Sequence, residues 1–118
     1  MIKILVCGGR DFNDYKYLKQ VLNRLQKQRG PFKKIIHGAA RGADSLAAQY
    51  AAWYEIPVKA FPADWHKHGF AAGPIRNVQM LLDGKPDLVI AFPGGKGTAN
   101  MIKVAKAAEV EVYEPKVR

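Results

Sequence analysis

Asp87-Leu88-Val89-Ile90-Ala91-Phe92-Pro93-Gly94-Gly95-Lys96-Gly97-Thr98-Ala99-Asn100-Met101 is the stretch whose reading decides the fold. Its first six residues form a short apolar run with an acidic lead-in, the pattern of a strand buried on both faces. Pro93 ends it. Pro93 to Thr98 then supplies three glycines, which can take positive φ and leave no Cβ between the main chain and a ligand. From Ala99 to Ala108 the spacing is helical, with Met101, Val104, Ala105 and Ala108 on one face. A strand, a glycine turn and a helix N-terminus gather free N–H groups and the positive end of a helix dipole at one spot, so an anion, above all a phosphate, is expected there. The turn is not a P-loop, because Lys96 is followed by Gly97 where that motif requires Ser or Thr.

The same device recurs twice upstream. Ile2 to Val6 reads as a strand that runs into Cys7-Gly8-Gly9-Arg10-Asp11-Phe12, where two glycines permit close approach and Arg10 offers a planar donor fork suited to phosphate. The three spaced glycines of the dinucleotide fingerprint are absent, which argues against extended dinucleotide binding of the dehydrogenase type. Lys33 to His37 reads as a second strand, followed by Gly38-Ala39-Ala40-Arg41-Gly42-Ala43-Asp44-Ser45 and a helix from Ser45 to about Tyr54. Arg41 is read as a phosphate partner. Asp44 is either the N-cap of that helix or an acceptor for sugar hydroxyls.

Between these turns lie ordinary supports. Asn13 or Asp14 caps a helix that runs to about Arg29 and stops at Gly30-Pro31, with Tyr15, Leu18, Val21, Leu22 and Leu25 as its apolar stripe. Ala47, Ala48, Ala51 and Ala52 make the next helix narrow, fit for close approach to the sheet or to a second subunit. Ile56 to Phe61 reads as an edge strand because of Pro57. Pro62 to Pro74 reads as a loop of about a dozen residues, long enough to be a ligand lid, with Trp65 and Phe70 available for stacking. His66 and His68 lack an identified third ligand, so no metal site is expected. Pro74 opens a helix to Leu82 that puts Arg76 in its first turn, and Val110 to Tyr113 forms a last strand.

The order β-α-β-α-β-loop-α-β-α-β predicts an α/β fold, a three-layer Rossmann-like parallel sheet of about five strands in the order 3-2-1-4-5. Ligands of such sheets sit at the carboxyl ends of the strands, at the switch point between strands one and four. All three glycine-bearing turns fall at that end. At 118 residues with 48% hydrophobic content, the chain is expected to be a single domain, residues 1–118. Its apolar N-terminal run is too short for a signal sequence or a membrane span, so a cytoplasmic location and no membrane partner are expected. One cysteine, Cys7, excludes an internal disulfide framework. The formal charge of +9 is uneven: residues 1–38 hold nine basic against two acidic residues. That basic excess suits small polyanions, nucleic acid or simple solubility.

Taken together, Cys7-Gly8-Gly9-Arg10-Asp11-Phe12, His37-Gly38-Ala39-Ala40-Arg41-Gly42-Ala43-Asp44, Pro62-Ala63-Asp64-Trp65, Ala72-Gly73-Pro74-Ile75-Arg76-Asn77 and Phe92-Pro93-Gly94-Gly95-Lys96-Gly97-Thr98 resemble the SLOG superfamily, the Rossmann-like group that includes the LOG phosphoribohydrolases and the DNA-processing protein DprA. Within it the chain is most similar to the YspA-like, YpsA-related branch of bacteria and phages. The resemblance implies a nucleotide or nucleotide-derived ligand with its phosphate in the Pro93 to Thr98 turn, and relatives that commonly form homo-oligomers. The LOG enzymes carry a glutamate in Pro-Gly-Gly-x-Gly-Thr-x-x-Glu where this chain has Met101, which cannot stabilise an oxocarbenium ion or position water. Their Arg-Lys-x-x-Met motif is matched by Arg76 and Met80, with Asn77 in place of the lysine.

Three functions follow as expectations. The first is a binding module, sensing or sequestering a nucleoside phosphate or an ADP-ribose-like molecule, with no cofactor. Gly8, Gly9, Gly38, Pro93, Gly94, Gly95 and Gly97 would shape its pocket. Arg10, Arg41, Arg76, Asn77, Lys96 and Thr98 would meet the phosphate, Trp65 the base, and Asp44 or Asp64 the ribose. The second is an enzyme cleaving or transferring at an N-glycosidic bond of nucleoside monophosphates, with Asp44 or Asp64 as its catalytic carboxylate. The third is single-stranded nucleic-acid binding along the basic first helix, through Lys16, Arg24 and Lys27.

Overall fold

Ile4, Leu5, Val6 and Cys7 are consecutive and all buried, so the first strand has apolar neighbours on both faces of its sheet. The fold that provides them is seen in a computed structural model, which describes residues 1–115. The elements are β1 (Ile2–Cys7), α1 (Tyr15–Arg29), β2 (Phe32–His37), α2 (Ala43–Trp53), β3 (Val58–Ala60), α3 (Trp65–His68), a 3₁₀ turn (Gly69–Ala71), α4 (Ala72–Gly84), β4 (Leu88–Ala91), α5 (Lys96–Ala107) and β5 (Glu111–Tyr113). All five strands are parallel and lie in the order β3-β2-β1-β4-β5. The sheet order expected from the sequence is therefore the observed one.

Alternation along the strands sorts the core into two layers. Ile4, Val6, Ile35, Leu88 and Ile90 face α1 and α2, where Leu18, Val21, Leu22, Ala47, Tyr50 and Ala51 meet them. Leu5, Cys7, Ile36, Val89 and Ala91 face the other way, against Met80 of α4 and Met101 and Ala105 of α5. The small residues Ala47 and Ala51 thus let α2 approach the sheet closely, while Trp53 at the end of the same helix is 76% exposed. Asp14 caps α1, its side chain accepting from the Tyr17 amide at 3.0 Å. Two residues on the basic side of α1 are tied to the last strand: Arg24 donates to Tyr113 Oη at 3.1 Å, and Arg29 pairs with Glu111. No helix among the described residues is long and apolar enough to cross a membrane.

Several boundaries differ from the sequence expectation, each for a local reason. α2 begins at Ala43 with Gly42 as its N-cap, so Asp44 lies inside the first turn and is not the cap. α5 begins at Lys96, three residues earlier than the periodicity indicates, because a first helical turn accepts glycine and buries little. The segment from Pro62 to Pro74 is largely helical. Asp64 caps α3 by accepting from the Lys67 amide at 3.0 Å, the 3₁₀ turn follows, and α4 starts at Ala72 with Pro74 in its first turn. Proline is tolerated there because the N–H it lacks would have no helical acceptor. β3 shrinks to three exposed residues at the sheet edge.

Candidate functional site

Gly9 joins the three turns at the carboxyl ends of β1, β2 and β4. Its N–H donates to the Pro93 carbonyl at 2.8 Å, and its own carbonyl accepts from the Ala43 amide at 3.2 Å. Side chains are excluded from this junction. A Cβ on Gly8 would lie 2.6 Å from that of Ala43, and one on Gly42, whose φ is +80°, would run into the Gly9 carbonyl. Gly94 is equally constrained, since its Cβ would overlap Thr98 Oγ1 and lie 2.6 Å from the Gly9 nitrogen. None of the three glycines between Pro93 and Thr98 has positive φ. Their expected conformational role is thus replaced by a spatial one. Gly94 makes room for protein, whereas a Cβ on Gly95 or Gly97 would meet nothing within 4 Å.

That open space is the mouth of a cavity of about 520 Å³. The N-terminus of α5 opens into it with no side chain capping its amides, and Lys96, Gly97 and Thr98 line the wall there. Gly8, Gly9, Arg10, Asp44, Trp65, Arg76, Asn77 and Gly95 complete the set of sequence-predicted residues on its surface. Free amides, a helix dipole, a lysine and a hydroxyl make this wall a donor surface, fit for an oxyanion, and two arginines stand elsewhere on the lining. Met80, Met101 and the thiol of Cys7 provide apolar floor, and burial together with neighbouring Asp44 pushes that thiol up to about 12, so it is held as the neutral form.

Polar side chains behind the wall are fixed in a chain. Arg76 Nε donates to Asn77 Oδ1 at 3.0 Å; Asn77 Nδ2 in turn donates to Asn100 Oδ1 at 2.9 Å and to the Gly97 carbonyl at 3.4 Å. Arginine can only donate, so the amide of Asn77 is oriented by it and that of Asn100 by Asn77. Asn100 therefore has its NH₂ group left to offer the cavity that it lines. Sequence reasoning missed Asn100. Its signal was an asparagine inside a helix, where that residue is disfavoured, two positions beyond Thr98.

Asp44 closes the other side. Its Oδ2 accepts from the amides of Gly38 and Ala40, at 3.0 and 3.2 Å, so the carboxylate organises the turn after β2. Burial pushes its pKa up, opposed by the Ala40 amide, Arg76, the Gly38 amide and Arg10. Arg76 Nη1 donates to the Gly38 carbonyl at 2.6 Å, and burial lowers the pKa of that guanidinium. His37 is buried beneath the same turn, with its Nδ1 accepting from the Ala39 amide at 2.9 Å, and burial lowers its pKa too.

Arg10 lies over the Trp65 ring, 5.6 Å from its centroid, and this cation–π contact bridges the turn after β1 to α3. The same two residues also line a second hollow of about 430 Å³, whose wall is completed by Arg76, Arg41 and residues 38–40, 62 and 63. Arg41 faces this hollow and not the larger cavity; it also approaches Asp11 at 3.5 Å across the surface. Pro93, Gly94 and Asp64 line neither space, and the Asp64 carboxylate is engaged as the α3 cap. Phe70, almost wholly exposed, stands at the rim of the larger cavity.

The chain matches the family model described as the YspA, cpYpsA-related SLOG family over residues 2–68. It is also 32% identical over 121 residues to the Gene 61 protein of Mycobacterium phage D29, an alignment that covers 95% of this chain and 94% of the phage protein.

Proposed function

The chain belongs to the YspA, cpYpsA-related SLOG family, membership of which points to binding or processing of nucleotide-related molecules, and from that premise we propose that it is a binder of nucleoside phosphates. The phosphate sits at the N-terminus of α5, with Lys96 and Thr98 beside it and Asn100 and Arg76 behind. The observation that carries this reading is the uncapped start of α5 opening into a cavity of about 520 Å³ whose wall there consists of donors. Trp65 and Phe70 offer aromatic faces for the base. Asp44, whose Oδ2 is already used by two amides, has Oδ1 for a ribose hydroxyl. Isothermal titration with the four nucleoside 5′-monophosphates tests it. At least one should bind, and Lys96→Ala should weaken that binding about fivefold or more. Absence of binding by all four, together with no nucleotide in the mass spectrum of material released from natively purified protein, overturns the reading.

A second reading is favoured by one observation: Asp44 is a cavity-lining carboxyl whose pKa burial raises, the property of a general acid. In that reading the bound monophosphate is cleaved at its N-glycosidic bond by water, with Asp44 supplying the proton to the leaving base. Release of free base and ribose 5-phosphate by the wild type, lost in Asp44→Asn, is the result that would promote it. A nucleotide recovered intact after prolonged incubation excludes it.

A further inference from the structure

The two hollows at the carboxyl edge of the sheet share four residues, Arg10, Ala40, Trp65 and Arg76, and so are neighbouring lobes divided by a common wall. The wall consists of two contacts: Arg10 over the Trp65 ring, and Arg76 bonded to the Gly38 carbonyl. Arg10 is thus available to either lobe, and Arg76 through the donors not committed to Gly38 and Asn77. The smaller lobe adds a third, Arg41, and no carboxylate lines it among the described residues. Arg41 has one ionic neighbour there, Asp11, at 3.5 Å; both side chains are highly exposed, at 74% and 98%, so this is a weak surface pairing that an incoming anion readily exchanges. The larger lobe has its own cationic end at Lys96 and the start of α5, on a different turn of the chain. Two anion-seeking surfaces therefore lie on either side of a partition made by Trp65, Ala40, Arg10 and Arg76, with the Asp44 carboxylate lining the larger lobe beside it.

We propose that the smaller lobe is a second phosphate subsite, and that the ligand is a nucleotide bearing a further phosphoryl group on the far side of its sugar, a nucleoside 3′,5′-bisphosphate or a 5′-phosphorylated dinucleotide. This rests on the nucleotide reading above and narrows it. A 5′-diphosphate does not meet the requirement, because its two phosphoryl groups are adjacent and both remain at the start of α5. The two groups of the 3′,5′-bisphosphate are separated by the ribose, so that one is held by the α5 amides and Lys96 while Arg41 and Arg10 take the other as a charge-assisted pair.

The test is isothermal titration of the tightest-binding nucleoside 5′-monophosphate, its 5′-diphosphate and its 3′,5′-bisphosphate, against the wild type and Arg41→Ala. Arg41 is exposed and makes no core contact, so the variant is expected to fold. The expected result is a 3′,5′-bisphosphate bound at least tenfold more tightly than the monophosphate, a smaller gain for the 5′-diphosphate, and collapse of the tenfold ratio in Arg41→Ala. A gain below tenfold, an equal gain for the 5′-diphosphate, or a ratio that survives Arg41→Ala overturns the second subsite while the nucleotide reading stands. Failure of every ligand to bind removes both.

Discussion

Arg76 Nη1 donates to the carbonyl oxygen of Gly38 at 2.6 Å, tying the beginning of α4 to the turn that follows β2. The same guanidinium donates through Nε to Asn77, so much of its donor capacity is spent on protein before any ligand arrives. Arg76 is consequently a structural residue as well as a cavity residue. Arg76→Ala leaves the buried Gly38 carbonyl without its charged donor and Asp44 with Arg10 as its remaining cationic neighbour, and should lower the unfolding free energy by about 1.5–3 kcal/mol in urea denaturation. A loss under about 0.5 kcal/mol would mean that the bond to Gly38 contributes nothing and that the guanidinium is free for ligand.

Asp44 makes a distinction between charge and hydrogen bonding measurable. Its Oδ2 accepts from two amides. Asparagine Oδ1 can accept the same pair, whereas alanine strands both N–H groups, so Asp44→Ala should cost about 2 kcal/mol more than Asp44→Asn. The pH dependence has a definite sign. Because burial raises the carboxyl pKa above its ordinary 3.8, the folded chain holds this proton to higher pH than the unfolded chain does. The stabilisation from that difference is full below 3.8 and is lost as pH rises through the folded value. Asparagine has no such loss, so the stability of Asp44→Asn relative to wild type should improve from about pH 4 to pH 7. Parallel curves for the two proteins would contradict the assignment.

His37 acts in the opposite direction. Its Nδ1 accepts from the Ala39 amide, which requires an unprotonated nitrogen, and burial lowers its pKa from the ordinary 6.5. The contribution is therefore complete above 6.5 and is lost as pH falls through the depressed folded value. Below pH 6.5 this contribution lowers the melting temperature of the wild type against the gain from Asp44, so it is read as a difference from a variant without the imidazole. His37→Asn keeps an acceptor without the titration, so its melting temperature relative to the wild type should rise as pH falls below 6.5.

Much of this architecture is legible in the sequence because it rests on long-range regularities. Five short apolar segments separated by helical spacing leave few parallel topologies, and the right-handed crossover places all the glycine turns at one end. What could not be read was decided over a few residues. The segment from Trp65 to Ala71 has no apolar period, because α3 is a single turn with nothing buried, so it read as loop. For Asp44 the sequence leaves a cap and a ligand acceptor open, because Asp at a helix start suits either; Gly42 takes the cap position and frees the carboxylate to reach back to Gly38 and Ala40, a role that neither alternative names. Asn100 and the tie between Arg76 and Gly38 depend on which side chains meet across turns far apart in sequence. Local pattern does not contain that.

The turn after β4 separates packing from binding within two adjacent residues. A Cβ on Gly94 would overlap Thr98 Oγ1 and press to 2.6 Å from the Gly9 nitrogen, where the bond from Gly9 to Pro93 holds the turns together. Gly94→Ala must displace backbone, and a cost of about 2 kcal/mol or more is expected. Gly95 is different. Its φ is −98° with ψ −140°, a Cβ there meets nothing within 4 Å, and it occupies the N-cap of α5, a position that aspartate favours once ψ turns into the neighbouring β region. Gly95→Asp should therefore cost no more than about 1 kcal/mol of stability, the cap bond offsetting the adjustment of ψ. Its carboxylate would accept from the α5 amides that the proposed phosphate needs and would repel that phosphate. The expected outcome is an intact fold with nucleoside monophosphate affinity at least tenfold weaker, read by urea denaturation and isothermal titration on the same sample. Unchanged affinity in a stable Gly95→Asp protein would remove the phosphate from the start of α5, since an anion and a carboxylate cannot share those amides.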